Sequence, residues 1–423
     1  MTRYLLLLCL LLPGAGSLLA QPGARVFVLN SLGENISVVN LTDQTVQLNA
    51  LAAGLYPNEI RRGGDSLLVV NSGVNQVQIV DKNAITNINS IDFGSGTNPW
   101  SVATTGDGRA LVTLLFTNQV AVVDLATGSI TQTLTVGTAP EGLVVHGGFA
   151  YVCNSGFTLN GYEPGTLSKI DLNTLAISEI RVGINPQSVA VAGNQLLVAC
   201  TGNYADVGGR LDIVDIAAAA VVDSIEAGTA ITQVSAGEGR AYLATFGSGI
   251  LVYDLTAGTF IYDAANPLPG GPGMASDRDG RLYLADFGSD SLYIYDRNLN
   301  RESSWAVGNG PVSLVVDLDN FVGLGNLPEQ PLSFALLPNY PNPFNPETRL
   351  EYRLEEGGEV LLEVLNVLGQ RVAVPDAGLR SPGTYRIRWD ARNSRGEALV
   401  SGHYFYRLSV NGRSVVRRMT LVR

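Results

Sequence analysis

The 423-residue sequence is short of the side chains that most enzymes use. It has two histidines, three cysteines and three methionines. His146 ends an apolar run at a Gly-rich turn (VVHGG), and His403 lies far along the chain, in a turn ahead of an aromatic run. No spacing between them supports a shared metal site or a Ser–His pair. Neither a Gly-x-Ser-x-Gly motif nor a Cys–His arrangement is present. The sequence therefore offers no candidate catalytic residue, metal-ligand set or cofactor. Cys9 falls inside an amino-terminal apolar run, which leaves Cys153 and Cys200. An isolated pair in so long a chain is no disulfide framework, and both are expected to be small buried apolar groups. Charged residues make up only 15% of the chain. No apolar period of 3.6 residues follows residue 20, which argues against a helical body.

What is abundant is glycine, 48 residues of it, with Val, Leu, Ile and Thr in short runs between turn residues. That is the composition of many short strands joined by tight turns. Residues 1–20 combine Arg3, an apolar core from Leu5 to Leu12, a Pro-Gly break and small residues up to Ala20. This pattern predicts a signal peptide cleaved after Ala20, and nothing beyond it is long and apolar enough to span a bilayer as a helix. The net charge is −11, but residues 338–423 carry thirteen Arg against nine Asp plus Glu. An acidic body of this kind argues against nucleic acid or an anionic membrane as a partner.

Internal repetition decides the expected fold. A Gly-x-x-Pro signal recurs as GLYP, GTNP, GTAP, GINP and GNGP, with degenerate copies GTAI and PGGP. The equivalent positions are 57, 99, 140, 186, 231, 272 and 311, spaced 42, 41, 46, 45, 41 and 39 residues apart. A second marker keeps the same beat: Asp81, Asp124, Asp171, Asp215, Asp254 and Asp296, with Asn40 in the first copy. These residues suit turns in which the side chain caps backbone N–H groups. Residues 183–228 contain four short strands, and a unit of this size is a propeller blade. Residues 25–50 supply only three strands, and a lone strand, Pro311 to Leu318, follows the last Gly-x-x-Pro. Together they predict an all-β, seven-bladed propeller over residues 21–318, closed by a composite blade that hides its edges. Six blades with a stray strand is the alternative.

The segments LVVNSGVNQVQIVD (68–81) and AYVCNSG (150–156), with the Gly-x-x-Pro turns, resemble the YVTN-type repeats of bacterial surface-layer-like propellers. The resemblance covers about residues 25–318. It implies a binding or scaffold protein, while related propellers include lactonases and quinoprotein subunits, so fold alone says little about activity.

After Leu318 the beat stops. Residues 319–337 read as a Pro-containing linker, and from residue 338 alternation is clean. Tyr385, Ile387 and Trp389 share one face, as do Tyr404, Tyr406, Leu408 and Val410. Period-two strands of this spacing predict a small immunoglobulin-like sandwich over 338–423. YPNPFNP, NVLGQRV, GTYRIRWDARNSRGEALVSGHYFYRL and VRRMTLVR resemble a type IX secretion C-terminal sorting domain, a group that includes the immunoglobulin-like domain of the flagellar hook-capping protein. The resemblance implies the type IX machinery as a partner and passage through the periplasm to the cell surface or beyond.

The acidic loops at 105–108, 277–280 and 317–320 lack the ligand count of a calcium loop and read as turns. The remaining candidate site is geometric. Propellers bind at the mouth of the central channel, where the residue after each Gly-x-x-Pro position should form a ring: Asn58, Trp100, Glu141, Gln187, Thr232, Gly273 and Val312. Two enlarged loops, 154–167 and 201–210, should bring Tyr162, Glu163, Tyr204 and Asp206 to the same face. Aromatic groups with carboxylates and amides in a concavity suit a polar ligand. Two classes follow: an extracellular binding or scaffold propeller for a cell-wall glycan, polysaccharide or surface protein, or a lactonase-like hydrolase with a metal in the channel. One acid among seven ring positions favours the first.

Overall fold

Each repeat of the sequence forms one antiparallel four-stranded sheet, as propeller blades do. The computed structural model describes residues 24–247, 249–277, 279–318, 334–337, 339–366, 371–410 and 413–422. The expected signal peptide and residues 319–333 of the expected linker lie outside the described residues.

Sheet 2 runs Pro57–Gly63, Ser66–Asn71, Gln76–Asp81 and Thr86–Asp92 from its inner to its outer edge. Sheets 3 to 7 repeat this order and begin at Pro99, Pro140, Pro186, Ile231 and Gly273. Sheet 1 takes three strands from the N-terminal end, Arg25–Asn30, Asn35–Asn40 and Thr45–Ala52, and its innermost strand from Pro311–Asp317. In that pairing Val28 faces Leu314 and Phe27 faces Val315. Each innermost strand touches that of the next sheet, and Pro311–Asp317 touches both Gly273–Ser276 and Pro57–Gly63.

The apolar runs follow from this stacking. The second and third strands are covered on both faces, so Leu67 to Val70 and Val77 to Val80 are buried throughout. Outer strands have one neighbour and read polar: in Thr86–Asp92 only Ile91 is buried. Clusters of apolar side chains bridge consecutive sheets, such as Phe27, Leu29 and Ile36 with Ile60, Leu67 and Val69. On the other side of sheet 1, Val26, Val28 and Leu314 meet Tyr283, Leu292 and Trp305.

Both sequence markers have a backbone cause. The residue ahead of the proline is left-handed in Tyr56, Asn98, Ala139 and Asn185, with φ between 48° and 57°. This bend lets the turn accept two N–H groups from the loop after the second strand, as Tyr56 and Leu55 do from Ser72 and Gly73. The leading glycine lies against the residue that ends the second strand. A Cβ on Gly137 would stand 2.6 Å from Asn154, and one on Gly54 2.8 Å from Asn71. The Asp marker caps a turn: Asp81 Oδ1 accepts the Asn83 and Ala84 N–H groups at 2.7 and 2.9 Å, and Asp254 those of Thr256 and Ala257 at 2.8 Å. Asn40 does the same for Thr42 and Asp43. These contacts hold the Asp81 and Asp254 carboxyls below the usual range.

The C-terminal domain is a two-sheet, immunoglobulin-like sandwich. One sheet orders Phe334–Leu336, Thr348–Leu354 and Gly383–Trp389; the other orders Arg371–Arg380, Gly358–Leu365, Gly402–Val410 and Arg413–Leu421. Tyr404, Tyr406, Leu408 and Val410 are all buried, in one core with Tyr352, Trp389 and Met419. Two sequence boundaries shift. Phe334–Leu336, inside the expected linker, pairs with Thr348–Leu354 because Phe334 and Leu336 bury one apolar face around an exposed Ala335. His403 belongs to a strand, opposite Thr420, rather than to the turn before it. Phe405 reaches the repeat domain, its ring 6.0 Å from Phe246 and 6.5 Å from Phe287.

Candidate binding site at the channel mouth

The innermost strands surround a cavity of about 610 Å³. Asn58, Trp100, Glu141, Gln187, Thr232 and Val312 line it, whereas Gly273 does not, its place being taken by Pro272 and Met274. These positions converge because the Gly-x-x-Pro position, or the residue beside its degenerate copy, opens each inner strand. Gly142 shows how close adjacent strands come: a Cβ there would stand 2.6 Å from the Gln187 carbonyl oxygen.

The ring residues differ in what they offer. Asn58 is already engaged: its Nδ2 donates to the Trp100 carbonyl, and its Oδ1 accepts from Ser72 Oγ at 2.7 Å. Glu59, absent from the sequence-based ring, ties two sheets by accepting from Ser101 Oγ at 2.7 Å and Val102 N–H at 2.8 Å. Its other oxygen meets Arg61 at 2.8 Å.

Glu141 is different. Its side chain is buried, the residue being only 6% exposed, yet it lines the cavity and its Oε2 has no hydrogen-bond partner. Loss of solvent pushes its carboxyl from an ordinary 4.5 up to about 8, with the Ser155 hydroxyl acting the other way. Around it stand the two enlarged loops. Tyr162 and Tyr204 do not line the cavity; their rings adjoin each other, centroids 6.3 Å apart at 53°. Loss of solvent around the hydroxyls raises both phenols, Tyr204 to about 12 although the residue as a whole is 55% exposed, and the Glu141 charge adds to each shift. The Asn185 and Gln187 amides beside the Tyr204 hydroxyl oppose it. Asn185 is buried in the turn ahead of Gln187; its Nδ2 donates to Gly202 O at 3.2 Å, and its Oδ1 has no partner. Glu141 and Asn185, each with an unpaired oxygen, thus both adjoin the Tyr162 and Tyr204 phenols. Tyr162 pairs across a small hairpin with Phe157, whereas Tyr204 sits in a left-handed turn at φ 59°.

Cys153 and Cys200 are both free and buried. His146 ends its inner strand away from the notch. Among the described residues, no group of three or more His, Cys, Asp or Glu is placed to hold a metal ion. At the other end of the inner strands lies a charge cluster. Buried Asp317 binds Arg25 at 3.3 Å and Arg62 and Lys82 at 3.2 Å each.

Residues 345–414 match the FlgD Ig-like domain. The chain is similar in fold to a chain of Kuenenia stuttgartiensis hydrazine synthase, at 19% identity and a TM-score of 0.54, over 61% of this chain and 88% of that one. It is similar too to a functionally unknown protein from Desulfotomaculum acetoxidans DSM 771, at 13% identity and a TM-score of 0.55, over 70% and 98% of the two chains. No curated protein matches the sequence. At these identities the likeness shows the fold alone.

Sequence reasoning missed Asn185, Ser155 and Glu59. Asn185 carried a usable signal, since it precedes the proline of GINP and so faces the loop after the second strand. Glu59 carried none, because its partners come from the next sheet.

Proposed function

We propose that this chain is a secreted seven-bladed β-propeller that binds a polar ligand at its channel mouth and is carried out of the cell by its C-terminal domain. The observation that carries the binding reading is Glu141, a buried carboxyl with an unpaired oxygen at the edge of a roomy cavity. A buried polar atom left without a partner costs stability, so its retention suits a ligand that completes it. Rings of inner strands that contact one another in turn, with sheet 1 drawn from both ends of the repeat, support seven blades closed by a composite one. A cell-wall glycan, polysaccharide or surface protein fits an exposed mouth of this chemistry. The match to an Ig-like domain, the YPNPFNP and VRRMTLVR motifs and the charge reversal after residue 338 support a type IX sorting role, with the signal peptide serving the first membrane.

Immunoblots of periplasmic and extracellular fractions test the export half. A chain ending at Leu318 is expected to accumulate in the periplasm, while the full chain reaches the surface or medium. Equal export of both would remove the sorting role.

A further inference from the structure

We infer that the notch between sheets 4 and 5 takes the primary ammonium group of an organic ligand, with Glu141 as its counter-charge. This rests on the reading of the mouth as a binding site and names what it recognises. Two buried acceptors, Glu141 Oε2 and Asn185 Oδ1, lack partners, and both residues act on the Tyr162 and Tyr204 phenols. An ammonium brings three donors and no acceptor, which is the complement such a pair requires. The hydroxyls of Tyr162 and Tyr204 lie beside the Asn185 amide, and a phenol oxygen is a further acceptor for an ammonium N–H. A hydroxyl would satisfy one acceptor and set its own lone pairs against the other. An anion would meet Glu141. Calcium asks for six to eight oxygens, more than this one carboxylate with its neighbouring amides and hydroxyls supplies.

The protonation of Glu141 makes the assignment readable. A carboxyl that titrates near 8 is neutral in the free protein at pH 6 and must release its proton to pair with an ammonium. The groups facing it are Cys153 on its own sheet and Tyr162 and Tyr204 on the loops. Burial raises all three, so they stay neutral as Glu141 titrates. Across the cavity, Glu59 is paired with Arg61, and Arg62 with Asp317. A lysine-type ammonium keeps its proton to about pH 10. Affinity should therefore rise about ninetyfold from pH 6 to pH 9 and then level.

The test is calorimetric titration of the full chain with two amines from different sources, Nα-acetyl-lysine amide and glucosamine. Each is run against its N-acetylated counterpart, which keeps the shape and loses the charge. At least one amine is expected to bind at pH 7.5 with proton release, and its acetylated partner not to bind. Glu141→Gln should weaken that binding roughly 10- to 100-fold and abolish the proton release. Its melting temperature should not fall, which separates loss of the site from loss of the fold. The inference is overturned if neither amine binds, if acetylated and free forms bind equally, or if Glu141→Gln retains affinity. Binding of an uncharged glycan that Trp100→Ala abolishes would sink the ammonium assignment while keeping the mouth as the site. If neither amine nor glycan binds there, the reading of the mouth falls as well.

Discussion

Asp317→Asn is expected to loosen the closure of the ring. Asp317 ends the strand that sheet 1 receives from the far end of the repeat, and its carboxylate holds Arg25, Arg62 and Lys82. Arg25 belongs to the first strand, and Arg62 and Lys82 to sheet 2, so one acid joins the seam on both sides. The side chains of Asp317 and Lys82 are each 4% exposed, and that of Arg25 is 8% exposed. Removing one partner from a buried ion pair costs about 3–5 kcal/mol, because the remaining charges keep their desolvation without compensation. Domain stabilities are about 5–15 kcal/mol, so this is a large fraction of the whole. A fall in melting temperature of roughly 5–15 °C follows for a domain of this size. Asp65 supplies the control: it also approaches Lys82, at 4.0 Å, but its side chain is 93% exposed. Asp65→Asn should therefore change stability by less than about 1 kcal/mol. Circular dichroism melts of the two variants decide the matter. An Asp317→Asn protein that melts within 2 °C of the parent, or no lower than Asp65→Asn, would refute the argument that this cluster fastens the seam.

Two further expectations follow from the mouth. Glu141 binds its proton more tightly in the folded chain than its ordinary 4.5, so a stability penalty builds as pH rises from 4.5 and is complete above about 8. Glu141→Gln should thus melt progressively higher than the parent from pH 5 to pH 8, with a final gain on the order of 4 kcal/mol; parallel melts at every pH would contradict this. Gly142→Ala drives a Cβ into the backbone of Gln187 and Ser188 on the neighbouring inner strand. It should cost about 1–3 kcal/mol of overpacking strain, measurable by urea denaturation, and an unchanged midpoint would show that the strands can separate.

The repeat was legible because its markers answer local backbone needs. Gly-x-x-Pro repeats because a glycine must clear the end of the second strand and a left-handed residue must turn the chain toward that strand's loop. The Asp beat repeats because each turn to the outer strand leaves N–H groups to be capped. The ring residues could be listed for the same reason, since one position after each turn fixes where the inner strand begins. What each offers was not legible. Asn58 looked like a free amide, but Ser72 and the Trp100 carbonyl occupy it. Glu141 looked like a rim carboxylate, but it is buried close to Cys153 and Ser155, and its Oε2 is left alone. Asp317 appeared as an acidic turn residue, and its three cations lie on strands and a turn more than two hundred residues earlier in the chain. The early start of the sandwich at Phe334 was hidden because three residues are too few to display alternation.

The sharing of sheet 1 between Arg25–Asn30 and Pro311–Asp317 sets an order of events during synthesis. The first three strands leave the ribosome with their inner edge unpaired, and the strand that covers it comes last. Local hairpins within each sheet form without delay, whereas this pairing must wait for nearly the whole repeat, as contacts between distant residues do. Until then the chain is an open arc with an exposed strand edge. A chain arrested before residue 311 would keep that edge and have no closing strand to give in return, so truncated forms should either capture that strand from a full-length copy or associate edge to edge.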